Sequence, residues 1–340
     1  MPDPATMDAI VMRRFGGPEV LRMERFPRPV PGPGEVVIAV HAVSVNRTLD
    51  LVVREGRYGA PIALPHILGV DPSGVVAAVG EGVDSPRVGD RVVAIPWRSR
   101  PVGPLDAVGM QHHGGYAEYV RLPAQATVPI PAGLGFAEAT VVSRHAPQAM
   151  NLLRDRAGLK PGEWVLVMGA SGGLGSAGVQ LAKAMGAQVI AGAGAPDRVR
   201  AALDLGADHG IDYRAEDLTA RVLDITGGRG VDVVFENIAD PDLFPKAFHA
   251  IARHGRLVTA GSHGGGTVPL DVKRLYLYQI AVMGSLGFTR EDVAASLEAA
   301  ARGQFTALID EILPLARAAE AHERVATRDG IGKVILSLHG

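Results

Sequence analysis

The stretch Gly169-Ala-Ser-Gly-Gly-Leu-Gly175 constrains this chain more than any other. An apolar run, Trp164–Met168, precedes it, and a helical pattern with Leu174, Val179, Leu181 and Ala182 on its apolar side follows over Gly173–Gly186. A second strand-like run, Gln188–Ala191, comes next. Strand, turn, helix and strand thus fall within about 30 residues, the span of one parallel crossover unit. The turn opens a helix, whose first N–H groups and partial positive charge favour an anion. Gly172 lets the backbone approach a pyrophosphate and Gly175 lets the helix pack on the strand, while the first glycine of the usual G-x-G-x-x-G pattern is Ala170 here. A plain glycine-rich turn is the alternative, and the strand–helix context argues for a dinucleotide. The expected contacts are Ser171, Gly172, Gly173, Leu174 and Gly175.

The end of the second strand selects the cofactor. A site for NAD places a carboxylate there, some 20 residues on, to accept the ribose hydroxyls. Gln188-Val-Ile-Ala-Gly-Ala-Gly-Ala-Pro196 holds none, and Asp197 lies beyond the expected position. Arg198 either meets a 2′-phosphate or is a solvated residue of the first helical turn. NADP(H) is favoured over NAD(H) on this reading.

The remainder of the chain of 340 residues is long enough for a second domain. Before Pro131 it shows short strands such as Glu35–Val40, Gly74–Val79 and Asp90–Ile95, each bounded by turn residues. Their spacing predicts a partly closed β-barrel or a sandwich. After Pro131, apolar strands alternate with helices, the signature of a doubly wound parallel sheet. A helix is expected over Arg198–Leu205, and strands over Val231–Phe235, Arg256–Thr259 and Ala281–Gly284. An amphipathic stretch, Ala316–Val325, leads to a last strand, Lys333–Leu338.

A net charge of −2 gives no footprint for nucleic acid or an anionic membrane. No apolar run approaches the roughly 20 residues of a membrane span, and Met1–Asp8 carries no basic-then-apolar leader. A cytoplasmic protein is expected. The absence of cysteine excludes disulfides and thiolate metal sites.

Asn46-Arg47, Gly69-Val-Asp-Pro-Ser-Gly74, Val88-Gly-Asp-Arg-Val92, Gly114-Gly-Tyr-Ala-Glu-Tyr119 and the glycine loop follow one another in this order. Ala207-Asp208 with Tyr213, Gly227-Gly-Arg-Gly-Val-Asp232, Gly255-Arg-Leu-Val258 and Gly332-Lys-Val334 continue the series. Together they resemble the medium-chain dehydrogenase/reductase superfamily over nearly the whole chain. The resemblance implies an α/β protein: a GroES-like β-barrel catalytic domain and a Rossmann doubly wound parallel sheet, with the active site in the cleft. The barrel domain would comprise residues 1–146 and 291–340, and the Rossmann domain residues 147–290. It also implies homodimers formed by edge-to-edge sheet pairing near Ile280–Gly287.

Zinc alcohol dehydrogenases hold a catalytic metal with two Cys and the His of a Gly-His-Glu motif, and a structural zinc with four Cys. The corresponding places here are Asn46, Val70 with Asp71, and roughly Ser143, and the lobe region Trp97–His113 has no cysteine. No zinc is therefore expected, which points to the zinc-free branch resembling the quinone oxidoreductases and enone reductases. There Tyr213 would lie near the 2′-phosphate, and Asn46 and Tyr58 would line the catalytic cleft. Asn237, Ser262 and Lys333 complete the expected cofactor-binding set. Ser143-Arg-His-Ala-Pro-Gln148 departs from the apolar-Gly-x-Thr run usual beside the nicotinamide.

Without a Lewis acid, a quinone or α,β-unsaturated carbonyl is the easier partner, because it already accepts hydride. Reduction by NADPH of such a small molecule is the expected reaction. An alcohol or aldehyde reductase of the same fold and a non-catalytic NADPH-binding sensor are the alternatives. Tyr58, Asn46 and His145 are the candidate donors. Each also has a bland reading: a rim tyrosine, a turn residue and a structural histidine. His112-His113 is expected to be a surface or rim pair, since adjacent histidines diverge, and Asp71 a salt-bridge or turn-capping residue.

Overall fold

A computed structural model describes residues 5–95, 107–327 and 330–338, so the expected lobe before Ala107 lies outside the described residues. The chain forms two compact units, Met1–Arg144 with Val293–Gly340, and His145–Asp292.

In the first unit β1 (Thr6–Val11) and β2 (Arg22–Pro27) form an antiparallel pair. Then come β3 (Glu35–Ser44), a single turn α1 (Val52–Arg54), β4 (Ser73–Val79), β5 (Arg91–Ala94), β6 (Tyr119–Pro123) and β7 (Thr127–Pro129). Pairing runs β6-β3-β4-β5-β7. Because β6 and β7 are nearly contiguous in the chain, this path begins and ends on one segment and curls around a core. Val36, Ile38 and Val40 face that core from β3, with Val76 from β4, Val92 from β5 and Leu122 from β6. The two-residue period of the sequence is that of a strand with one face inward. The helix α2 (Phe136–Met150) follows.

The second unit contains β8 (Trp164–Met168), α3 (Gly173–Ala184), β9 (Gln188–Ala193), α4 (Pro196–Asp204), β10 (His209–Asp212) and α5 (Leu218–Ile225). It continues with β11 (Val231–Glu236), α6 (Leu243–His249), β12 (Ile251–Thr259), α7 (Val272–Tyr278) and β13 (Ala281–Gly284). All six strands are parallel in the order β10-β9-β8-β11-β12-β13. Val165, Leu166 and Val167 are buried in succession, as expected where helices cover both faces of a sheet. The strand order reverses between β8 and β11, and ligands of open parallel sheets bind outside the carboxyl ends at such a reversal. Element limits differ slightly from expectation. α4 begins at Pro196, whose missing N–H costs nothing in a first helical turn, and β9 runs on to Ala193.

The chain then returns to the first unit through α8 (Arg290–Ala301), whose residues from Val293 belong there, followed by β14 (Ile309–Pro314), α9 (Ala318–Thr327) and β15 (Lys333–Ser337). β15 pairs antiparallel with the end of β3, with Ile335 opposite Ser44. On α9 the buried His322 bonds Tyr116 Oη at 3.0 Å and Arg54 Nη1 at 3.1 Å. Arginine can only donate, so Nδ1 accepts and the proton sits on Nε2. Burial, then Arg54, holds this imidazole neutral, its pKa pushed down to about 3. The triad ties the C-terminal segment to the Gly114–Tyr119 motif and to α1.

Candidate functional site

The glycine loop has the shape its sequence predicts. Gly169 takes a φ of 65°, and Gly172 caps α3 in extended conformation. The first bond of the helix is Ser176 N–H to Gly172 O at 2.8 Å, so the N–H groups of Gly173, Leu174 and Gly175 precede it. A Cβ on Gly175 would overlap the Gly169 carbonyl, and one on Gly173 would come 2.5 Å from His145 Nε2. Only glycine allows this approach, and the resulting cradle fits a pyrophosphate. Asn237, just past β11, donates from Nδ2 to Met168 O at 2.7 Å and so pins the end of β8 at the strand-order reversal. Ser171 is buried within the loop, whereas Ser262 is exposed beyond β12.

At the end of β9 three side chains converge. A Cβ on Gly194 would lie 2.9 Å from Tyr213 Cε2 and 3.2 Å from Arg214 Nε. Burial raises the Tyr213 phenol pKa, and the positive charges of Arg214 and Arg198 oppose that rise. Neither arginine forms an ion pair among the described residues. Arg214 lies outside the residues expected from the sequence, because no family motif singles it out. Its signal was its place directly after Tyr213.

The first unit holds a buried polar cluster around Asn46. The Asn46 amide donates from Nδ2 to Ser44 Oγ at 3.0 Å and to Asp71 Oδ2 at 3.1 Å. Its Oδ1 accepts from Lys333 Nζ at 2.8 Å, and the same ammonium donates to Val45 O at 2.8 Å. Lys333, expected with the cofactor, thus directs its charge inward to Asn46. Asp71 also accepts from Ser44 N at 2.9 Å and Ser44 Oγ at 2.6 Å, and Asp50 accepts from Asn46 N at 2.7 Å and Gly69 N at 3.0 Å. Burial, then Asp71, pushes Asp50 up to about 7, and burial pulls Lys333 down to about 8.

Tyr58 is partly buried on the loop after α1, where Gly56 takes a φ of 73°. Its ring packs against the apolar group of Val70, Ala107 and Met110. Its hydroxyl makes no hydrogen bond among the described residues. His145 packs instead against Gly173 in the second unit, and Arg144 belongs with Asp71, Asp50 and Tyr58 in the first. His112 and His113 are both exposed, His113 lying 5.7 Å from the His66 ring. No group of three His, Asp or Glu among the described residues could hold a metal ion.

Comparisons with known proteins agree with this arrangement. The family described as "Alcohol dehydrogenase GroES-like domain" matches residues 32–132, and "Zinc-binding dehydrogenase" matches residues 173–302. A quinone oxidoreductase of Sus scrofa is 32% identical over 338 residues, covering 98% of each chain. A solved NAD-dependent alcohol dehydrogenase superposes with a TM-score of 0.90 at 36% identity, over 98% of this chain and 100% of that one. A mycobacterial protein solved in complex with NADPH gives a TM-score of 0.82 at 31% identity, over 97% and 99%. With a GroES-like unit, a Rossmann sheet, no cysteine and relatives matched along their whole length, the chain belongs to the medium-chain dehydrogenase/reductase superfamily, in a zinc-free branch resembling the quinone oxidoreductases.

Proposed function

We propose that this protein is an NADPH-dependent reductase of quinones or α,β-unsaturated carbonyl compounds. The observation that carries the reading is the cluster that replaces a metal centre. Where the zinc dehydrogenases place ligands, Asn46 bridges Asp71 to Lys333, and Val70 is packed in an apolar group. Such a site lacks a Lewis acid from its own side chains, so its acceptor must be activated by conjugation. Bound NADPH supplies hydride. The chain supplies a proton source, and Tyr58 is the donor with an uncommitted hydroxyl. Both amide hydrogens of Asn46 face Ser44 and Asp71, which suits it to hold the cluster in shape. Asn237 holds the end of β8 through Nδ2, and Lys333 holds Asn46 through Nζ.

The preference for NADPH rests on Gly194, Tyr213, Arg198 and Arg214. A charge-assisted hydrogen bond to phosphate is worth about 1.5–3 kcal/mol. Arg198→Ala and Arg214→Ala should each weaken NADPH roughly tenfold, and together more, with NADH hardly changed. Cofactor titration by fluorescence checks this, and equal losses for both cofactors would show that neither arginine meets the 2′-phosphate.

A homodimer through β13 completes the proposal. Among the described residues β13 pairs only with β12 and so ends the sheet. Val282 on this strand is exposed, as are Leu286 just beyond it and Val272, Tyr276 and Leu277 on α7. An open edge beside apolar side chains favours pairing with a second copy.

A further inference from the structure

Arg144 has no part in the chemistry above. It lies one helical turn after Thr140 on α2, so the two share a face. Thr140 Oγ1 bonds Asp71 O at 3.1 Å and Ser73 Oγ at 2.9 Å, which seats that face against the Asp71 turn. The guanidinium one turn on is partly buried, with Asp71 and Asp50 favouring its charge, the Lys333 ammonium opposing it, and the Tyr58 phenol among the groups that bear on it. Burial is the largest influence and lowers its pKa.

Among the described residues this guanidinium makes neither a hydrogen bond nor an ion pair. The nearby carboxylates are already engaged, Asp71 by Ser44 and Asn46, and Asp50 by Asn46 and Gly69. Other inward-facing arginines are bonded. Arg54 meets Gly16 O and His322, and Arg256 meets Glu163 and Ala157 O. Arg144 therefore keeps an unengaged planar fork of donors on the α2 face that Thr140 seats against the Asp71 turn, and Tyr58 is among the groups whose electrostatics bear on it. A partly desolvated guanidinium of this kind matches a two-oxygen anion better than a single oxyanion.

We propose that Arg144 binds a carboxylate carried by the acceptor. The preferred substrate class is then an α,β-unsaturated carbonyl compound bearing a carboxylate, held by Arg144 with its carbonyl oxygen toward Tyr58. This rests on the reductase reading above. In the reaction a hydride adds to the β-carbon, the C=C π pair moves to give an enolate, and one proton completes the saturated ketone. The carboxylate leaves unchanged, and NADPH becomes NADP⁺.

The test compares 4-oxopent-2-enoate with its methyl ester in the wild type, Arg144→Gln and Arg144→Lys. The wild type should favour the acid in kcat/KM by about tenfold or more, the range of a charge-assisted bond. Arg144→Gln should abolish that ratio, and Arg144→Lys, with charge but no fork, should restore part of it. Thermal melts keep misfolded variants out of the comparison. Calorimetry with the saturated acid 4-oxopentanoate on NADP⁺-loaded protein reads binding without turnover, and the signal should vanish in Arg144→Gln. Equal rates for acid and ester, or 4-oxopentanoate binding that ignores Arg144, overturns the carboxylate site while leaving the reductase reading intact. Failure to turn over ester, acid or quinone overturns the reductase reading, and the calorimetry then still decides the role of Arg144.

Discussion

Tyr58 is the residue on which the proposed chemistry turns. Its ring is held by the group of Val70, Ala107 and Met110, and its hydroxyl is the group left to act. Phenylalanine preserves the packing, so Tyr58→Phe should melt near the wild type. General acid catalysis contributes about 10²–10⁴-fold and a lone donor less, so kcat on an enone should fall by about tenfold or more. NADPH affinity should not change, and quinones should lose less because they need less help. Full activity on every enone would reduce Tyr58 to a wall of the site. The family resemblance offered Tyr58 and Asn46 as candidates, but it did not distinguish their tasks. That difference lies in hydrogen bonds to Ser44, Asp71 and Lys333, and the last is 287 positions from Asn46 along the chain. Arg144 was visible only as a departure from an expected run, since nothing in a sequence tells that a guanidinium lacks a partner.

Among the elements, the β8–α3 unit was the most legible. Its strand begins and ends where expected, and its glycines have steric causes: positive φ at Gly169 and contact with the backbone at Gly175. Gly175→Ala should therefore displace the loop and abolish NADPH binding in fluorescence titration, with a fold still seen by circular dichroism. Normal NADPH affinity in that variant would mean that the loop can relax and that the cradle is not the site. Limits were less legible than elements. β3 extends to Ser44 because its last residues pair with β15, a strand about 290 residues later. β12 starts at Ile251, five residues earlier than expected, with a register shift against β11. Alternation in one segment carries no information about a partner so far away.

For the whole molecule, composition and motifs disclosed a rolled sheet and a parallel sheet, whereas the return of the last strands to the first unit followed from the family resemblance. The β13 edge gives a test at this scale. Val282→Asp should convert the proposed dimer to a monomer in sedimentation or light scattering, because a desolvated carboxylate in an apolar edge contact costs several kcal/mol. A wild type that is monomeric at micromolar concentration would contradict the edge contact. The central claim is NADPH-dependent reduction without a metal. Its most direct measurement is the oxidation of NADPH by a quinone and by an enone, followed at 340 nm after dialysis against a strong chelator, with metal content determined on the same sample. Sustained turnover with substoichiometric zinc is expected, with faster use of NADPH than NADH. Activity that disappears on chelation and returns with about one zinc per chain would contradict it.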